Sequence, residues 1–188
     1  MRSACPLDQP GVILTTPRLI LRAATPQDID ILHARVFGDI EVMRRAFAGL
    51  PMTSGEAEQF VRAYFTFDPG LAGIGTLTEK PAGDVIGFAG LLACGALGAD
   101  DFEIGFVLAR RAWGRGIATE IGEAQLAFGF EQLDCDRLLG LVEPGNTSSI
   151  RVLEKLGMRY LKDSAEATRP HRRIHVIDAA EWRRRRAE

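Results

Sequence analysis

Between residues 102 and 119 the chain reads FEIGFVLARRAWGRGIAT, and the chemistry these residues offer is anion binding. Phe102, Ile104, Phe106 and Leu108 alternate with Glu103, Gly105 and Val107, which is the period of a strand. Two arginines and a Gly-x-Gly turn follow, and then a helix that opens at Ile117, Ala118 and Thr119. The first N–H groups of a helix have no partner within it, and the aligned peptide dipoles gather positive potential there. Gly114 and Gly116 let a ligand come close to the backbone without a Cβ in the way. Arg110, Arg111 and Arg115 add positive charge, so the expected occupant is a phosphate or pyrophosphate. Glu103 is a second reactive group. It lies on the strand face opposite the apolar residues, beside Gly105, which leaves room for a substrate or water. Asp100 and Asp101 are near in sequence and are expected to raise its pKa toward the range useful to a general base.

A Gly-x-Gly turn alone does not name its ligand. A dinucleotide fold would put a third glycine where this chain has Thr119, and a P-loop would need Gly-Lys-Ser/Thr, which is absent. The run Arg111-Ala-Trp113-Gly114-Arg115-Gly116 instead resembles the acyl-CoA pyrophosphate loop, Gln/Arg-x-x-Gly-x-Gly/Ala, of the Gcn5-related N-acetyltransferase family. Asn146-Thr-Ser-Ser149, running on through Leu153 to Lys155-Leu-Gly157-Met158, is similar to that family's second signature. Leu14-Thr-Thr-Pro17-Arg18-Leu19 resembles the opening strand of its RimJ/RimL-like branch.

This resemblance implies acetyl-CoA as co-substrate, no metal, and transfer of an acetyl group to a primary amine by direct attack in a ternary complex. The acceptor would be a small molecule or a protein N-terminus. The pyrophosphate would rest on backbone from Arg111 through Trp113, Gly114, Arg115 and Gly116 to Ala118 and Thr119. The pantetheine arm would lie along Phe106, Val107 and Leu108 where two parallel strands splay, and would touch Asn146. Glu103 would be the base. Many relatives carry a tyrosine acid where this chain has Leu153, so Ser149 is the suggested hydrogen-bond partner of the leaving thiolate. The rival reading is a CoA-binding regulatory or scaffold module that has lost catalysis. Taken alone, Asn146 is better explained as a helix N-cap, and Ser149 equally well as an ordinary helix-start serine.

The elements that must position these groups follow from the pattern around them. With 188 residues, 46% apolar and 26% charged, the chain fits one domain with a substantial core. No apolar run reaches the length of a membrane span and no hydrophobic signal segment opens the chain, so a cytoplasmic protein is expected. Cys5, Cys94 and Cys135 form no metal-spaced set. The arginines at 183 to 186 read as a solvated terminal helix face and not as a nucleic-acid patch. A homodimer is compatible with the chain but is not specified by it.

Residues 1–11 have no periodicity and read as a lead-in. Val12 to Ala23 reads as one strand bent at Pro17, followed by a helix capped by Thr25 with Pro26 and Asp28 in its first turn. A short helix from Ile40 to Phe47 comes next. Thr53-Ser-Gly-Glu56 is a capping box opening a helix with Ala57, Phe60, Val61 and Tyr64 inward. Strands are expected over 73–78, 84–94 and 137–142, and a helix over 117–133. Gly157 should end a helix begun near Asn146, and a final hairpin carrying His171 and His175 should precede a last helix. The whole is α/β (α+β), a mixed sheet of six to seven strands flanked by helices.

Overall fold

The computed structural model describes residues 11–47, 49–68, 73–164 and 171–187. The lead-in as far as residue 10, including Cys5, lies outside them. The described residues form eight strands in the order β1-β2-β3-β4-β5-β6-β8-β7. The fold is mixed α/β, with parallel and antiparallel pairing in the sheet.

The chain divides into two compact units, one of Met1–Gly90 with Phe106–Ile117 and one of Leu91–Gly105 with Ala118–Glu188. In the first, β1 (Val12–Thr15) and β2 (Leu19–Arg22) make a tight antiparallel hairpin. This is the eighth strand. The expected single strand over 12–23 folds back because Pro17 has no N–H for a ladder, while the Thr16 amide donates to Leu19 O at 3.0 Å and the Leu19 amide to Thr16 Oγ1 at 3.0 Å. β2 pairs with β3 (Ile74–Glu79), which pairs with β4 (Asp84–Cys94), giving an antiparallel meander.

The helices of this unit depart from the expected pattern in instructive ways. α1 spans only Asp28–Leu32 and continues as a π-helical turn over His33–Phe37. Thr25 is not its cap. The Thr25 amide and hydroxyl instead donate to the Asp28 carboxylate, at 2.8 and 3.0 Å. α2 is Ile40–Met43, capped by Asp39, and so is shorter than expected. α3 (Ser54–Tyr64) has the capping box complete: Glu56 N donates to Thr53 Oγ1 and the Thr53 amide to the Glu56 carboxylate. Ala57 and Val61 are fully buried, whereas Tyr64 is 58% exposed, a correction to the expected inward stripe. Its ring leans on Phe60, part of an aromatic cluster with Phe37, Phe47, Phe65 and Phe88. Thr53→Ala should lower stability by about 1 kcal/mol, since the Glu56 amide loses its acceptor, Thr53 Oγ1. Chemical denaturation of the variant beside wild type checks this.

In the second unit β5 (Asp101–Leu108) begins and runs parallel to β6 (Arg137–Val142), with Phe102 opposite Leu138 and Glu103 opposite Leu139. β6 pairs antiparallel with β8 (Arg173–Asp178), and β8 with the edge strand β7 (Arg159–Asp163). α4 (Ile117–Glu131), α5 (Thr147–Lys155) and α6 (Ala179–Ala187) bring Leu126, Phe130, Leu153, Leu156 and Trp182 into one core with Ile104 and Leu138. Each large apolar side chain buried in this way contributes about 1.5–3 kcal/mol. The opposite sheet face gathers Cys94, Leu139, Ile174 and Val176 into a smaller cluster. The side chains of β5 are thus sorted as the period of two requires, with Ile104 toward the helices and Glu103 on the other side.

At the C-terminus Arg184 pairs with Glu181, while Arg186 pairs with Glu131 and stacks on Trp182 at 4.8 Å. The arginine run is therefore partly engaged within its own unit. Among the described residues no helix is long and apolar enough to cross a membrane.

Candidate active site

Within the first unit the loop after β5 is built by short-range hydrogen bonds. Arg110–Ala112 form one turn of 3-10 helix, in which Ala112 N donates to Ala109 O at 2.9 Å and Trp113 N to Arg110 O at 3.0 Å. The Trp113 indole N–H returns to Leu108 O at 2.8 Å, locking the ring against the end of the strand. Gly114 (φ 70°) and Gly116 (φ 76°) then hold the left-handed backbone that carries the chain into α4. A Cβ at Gly114 would meet nothing within 4 Å, so this backbone stands open. Among the described residues, the amides of Gly114, Arg115 and Gly116 donate to no backbone carbonyl in a turn or cap, unlike those of Ala112 and Trp113. Exposed amides leading into a helix N-terminus make an anion cradle.

The arginines do something other than the sequence suggests. Arg110 Nε donates to Asp39 Oδ2 at 2.7 Å. Arg111 donates to Val85 O at 2.9 Å and reaches Asp84 at 3.5 Å. Arg115 forks onto Glu79, with Nη1 on Oε2 at 3.1 Å and Nη2 on Oε1. Each has a carboxylate partner, so these side chains also brace the loop. The pairing holds the Asp39 carboxyl below its usual pKa, where burial alone would raise it but hydrogen bonds from Arg110 and the Glu41 amide prevail. Arg18, quoted above only as part of an opening motif, donates to the carbonyl of Arg115 at 3.0 Å. No local pattern could reveal that contact, which joins residues 97 apart. Gly116→Ala should strain the turn by about 1–2 kcal/mol, because a Cβ disfavours positive φ. Thermal unfolding of the variant checks the strain.

Upstream of the loop, Gly87 has φ 150°, and a Cβ there would stand 2.2 Å from the Val107 carbonyl. The backbone of Val107 and Leu108 is therefore approached by β4 at a distance only glycine permits. Phe106 and Val107 are half-buried and Leu108 is buried.

In the second unit Glu103 stands on β5 opposite Leu139, on the sheet face that carries Cys94, and is half-buried. Burial, together with the negative charge and hydrogen bond of Glu103, pushes the Cys94 pKa up, so Cys94 stays a neutral S–H. The same charge sits near Asp101, but Asp101 receives both arms of Arg137, at 2.7 and 2.9 Å. Burial likewise lifts Cys135, and the two described cysteines are free thiols.

Asn146 caps α5, its Oδ1 accepting from the Ser149 amide at 3.1 Å and from the Ser148 hydroxyl at 2.9 Å. Ser149 is half-buried in the first turn of that helix. Leu153, one turn further, is buried beneath Gly140, so the position of the missing tyrosine is filled by core. Ala118 and Thr119 are half-buried in the first turn of α4. His33 is structural, its Nε2 on the Met52 carbonyl at 3.1 Å. His171 lies 3.2 Å from Asp163. His175 is buried, and burial lowers its pKa, which keeps it neutral.

Among the described residues no group of three or more His, Cys, Asp or Glu side chains could hold a metal ion.

Comparison with known proteins adds to this geometry. Residues 18–159 match the family model described as acetyltransferase (GNAT) domain. The uncharacterized protein YkkB of Bacillus subtilis is 31% identical over 158 residues, covering 84% of this chain and 91% of YkkB. Two solved structures share the fold. One is the spermidine N-acetyltransferase from Vibrio cholerae in complex with CoA and spermine, with TM-score 0.70, 16% identity, and coverage of 89% of this chain and 99% of that one. The other is RimL, the ribosomal L7/L12 α-N-protein acetyltransferase in complex with coenzyme A, with TM-score 0.71, 16% identity, and coverage of 90% and 99%.

Proposed function

The chain belongs to the GNAT acetyltransferase family, and from that premise we propose that it moves the acetyl group of acetyl-CoA to a primary amine, by direct attack in a ternary complex. The observation that carries this reading is the loop after β5, whose glycine amides face no backbone partner at a helix start while its arginines are tied to carboxylates. Such a loop fits a diphosphate: the glycine amides meet no backbone acceptor and the arginine side chains steady the turn. Arg111, Trp113, Gly114, Arg115 and Gly116, with Ala118 and Thr119, would hold that diphosphate, and Phe106, Val107, Leu108 and Asn146 the pantetheine arm. Acetyl-CoA supplies an activated thioester carbonyl when bound. The family match spans parts of both compact units, which supports reading the chain as one acetyltransferase domain.

The work left to the chain is proton management. An amine of pKa about 8 to 10.4 is mostly protonated at pH 7, so a base must take a proton before nitrogen can attack. Glu103 is the carboxylate with the right surroundings: half-buried, on the strand that leads directly into the loop, with glycine as its next neighbour on that face. Ser149 would donate a hydrogen bond to the departing sulfur, an interaction that stabilises a thiolate without protonating it. Leu153 cannot serve as an acid.

The two solved relatives act on a polyamine and on a protein, so the fold by itself does not choose the acceptor. The opening Thr-Thr-Pro17-Arg18-Leu19 supports a RimJ/RimL-like branch, and Arg18 has a definite task there, bracing Arg115. Following free thiol released from acetyl-CoA over a panel of amines, peptides and polyamines tests the proposal. Amine-dependent release supports it. Stabilisation by CoA with no turnover on any acceptor favours the regulatory reading, which the missing tyrosine motivates.

A further inference from the structure

Arg115 is held at two points, and one of them decides which way a backbone amide faces. Its guanidinium forks onto Glu79 at the end of β3. Its carbonyl accepts from Arg18 Nη1 at 3.0 Å. Arg18 reaches it from the turn between β1 and β2, and that turn is itself anchored. The Lys80 amide donates to the Arg18 carbonyl at 2.8 Å, and Lys80 Nζ donates to Thr15 Oγ1 and Thr16 O, each at 2.6 Å. Two adjacent residues, Glu79 and Lys80, thus secure both partners. The peptide that follows Arg115 is trans, so its carbonyl and the Gly116 N–H point in opposite directions. With the carbonyl turned toward the Arg18 guanidinium, the N–H is turned away from it, at a glycine that is exposed. Nothing local would keep it there. Gly116 tolerates either sign of φ, so a flip of this peptide would exchange N–H for C=O with little movement of the chain, and a carbonyl in that place repels a phosphate.

We propose that Arg18 is a positioning residue for the cofactor's diphosphate: by holding the Arg115 carbonyl it keeps the Gly116 N–H aimed at the phosphate oxygens, without itself touching them. This rests on the acetyl-CoA reading above and extends it to a residue outside the glycine loop, with every group involved inside the first compact unit. A cationic donor on the carbonyl also polarises the peptide, which makes its N–H a stronger donor. Hydrogen bonds to a charged acceptor are worth more than neutral ones, so one misdirected amide costs measurable affinity.

The test is calorimetric titration of wild type, Arg18→Met and Arg18→Lys with CoA and with dephospho-CoA, which keeps the diphosphate and lacks the 3′-phosphate. The expected result is about tenfold weaker binding of both ligands by Arg18→Met, and recovery to within about threefold of wild type in Arg18→Lys, whose ammonium can still donate to the carbonyl. In turnover the KM for acetyl-CoA should rise in Arg18→Met while kcat stays within about twofold, a split that a general loss of stability would not produce. Unchanged affinity for both ligands overturns the proposal, and so does a loss confined to CoA, which would put Arg18 on the 3′-phosphate itself. If Arg18→Met does not fold, wild type still decides: the Gly116 amide proton resonance should move downfield on adding dephospho-CoA, and a resonance that stays in place overturns the proposal. Failure of wild type to bind either ligand defeats the underlying cofactor reading, which is a different result from binding that is indifferent to Arg18.

Discussion

Replacing Glu103 by glutamine should lower kcat for amine acetylation about a hundredfold or more while the KM for acetyl-CoA stays within about twofold. The substitution keeps the size of the side chain and its place opposite Leu139, and removes only the ability to accept a proton. An amide in that position leaves the acceptor as an ammonium ion, whose nitrogen has no lone pair to attack with. The effect should therefore fall on the chemical step and not on cofactor affinity. A structural role would show differently, as a fall in melting temperature and in both parameters together. Raising the pH should recover part of the lost rate, because free amine becomes available without the base. A loss of only a few-fold at neutral pH would take Glu103 out of the mechanism, and Ser149 with its neighbours would have to be reconsidered.

The second large effect lies away from the chemistry. Asp28→Asn should destabilise the protein by about 3–5 kcal/mol, the range for removing one partner of a buried ion pair. Asp28 is 2% exposed and collects both arms of Arg22, each at 2.7 Å, along with the Thr25 amide and hydroxyl and the Thr76 hydroxyl at 3.2 Å. Asparagine would turn an NH2 group toward the Arg22 guanidinium at a position that is 2% exposed. The pair ties β2, the start of α1 and β3 together, so its loss loosens the base of the first unit.

The pH dependence follows from the same contacts. Burial alone would raise the Asp28 pKa, but the Arg22 hydrogen bonds and charge and the Thr25 amide outweigh it and hold the carboxyl below its ordinary value. A group with a depressed folded pKa contributes its stability fully above the unfolded value of about 3.9 and loses it as pH falls through the lower folded value. Wild type should thus lose stability steeply below about pH 4, and Asp28→Asn should show a shallower acid limb. Urea denaturation at several pH values measures both. A cost under about 1 kcal/mol at pH 7, or parallel acid limbs, would refute the assignment.

These two residues differ in how far they could be read in advance. Glu103 was legible because strand alternation is a local property, and the observed register puts it on the face opposite Ile104 as the pattern requires. The cap formed by Asn146 and the box of Thr53 with Glu56 were legible for the same reason, since each joins residues three apart. Asp28 was visible only as a first-turn acid. Its partners Arg22 and Thr76 come from two strands, and nothing in the sequence near residue 28 distinguishes a buried carboxylate from an exposed one. Tyr64 misled for the converse reason. Helical spacing put it in line with Phe60, but its ring lies at the margin of the aromatic cluster and remains in solvent.

By itself, the sequence determined the backbone of the loop after β5: a period-two strand, a glycine turn and a helix start are set by dihedral preferences and by neighbours within a few residues, so no distant contact is needed to specify them. Tertiary structure alone decided what the charges around it do. Arg110, Arg111 and Arg115 meet Asp39, Asp84 and Glu79 across separations of 71, 27 and 36 residues, and each pairing gives the loop a brace. A side chain's charge is written in its residue type, but whether that charge is free depends on which opposite charge the folded chain brings within reach.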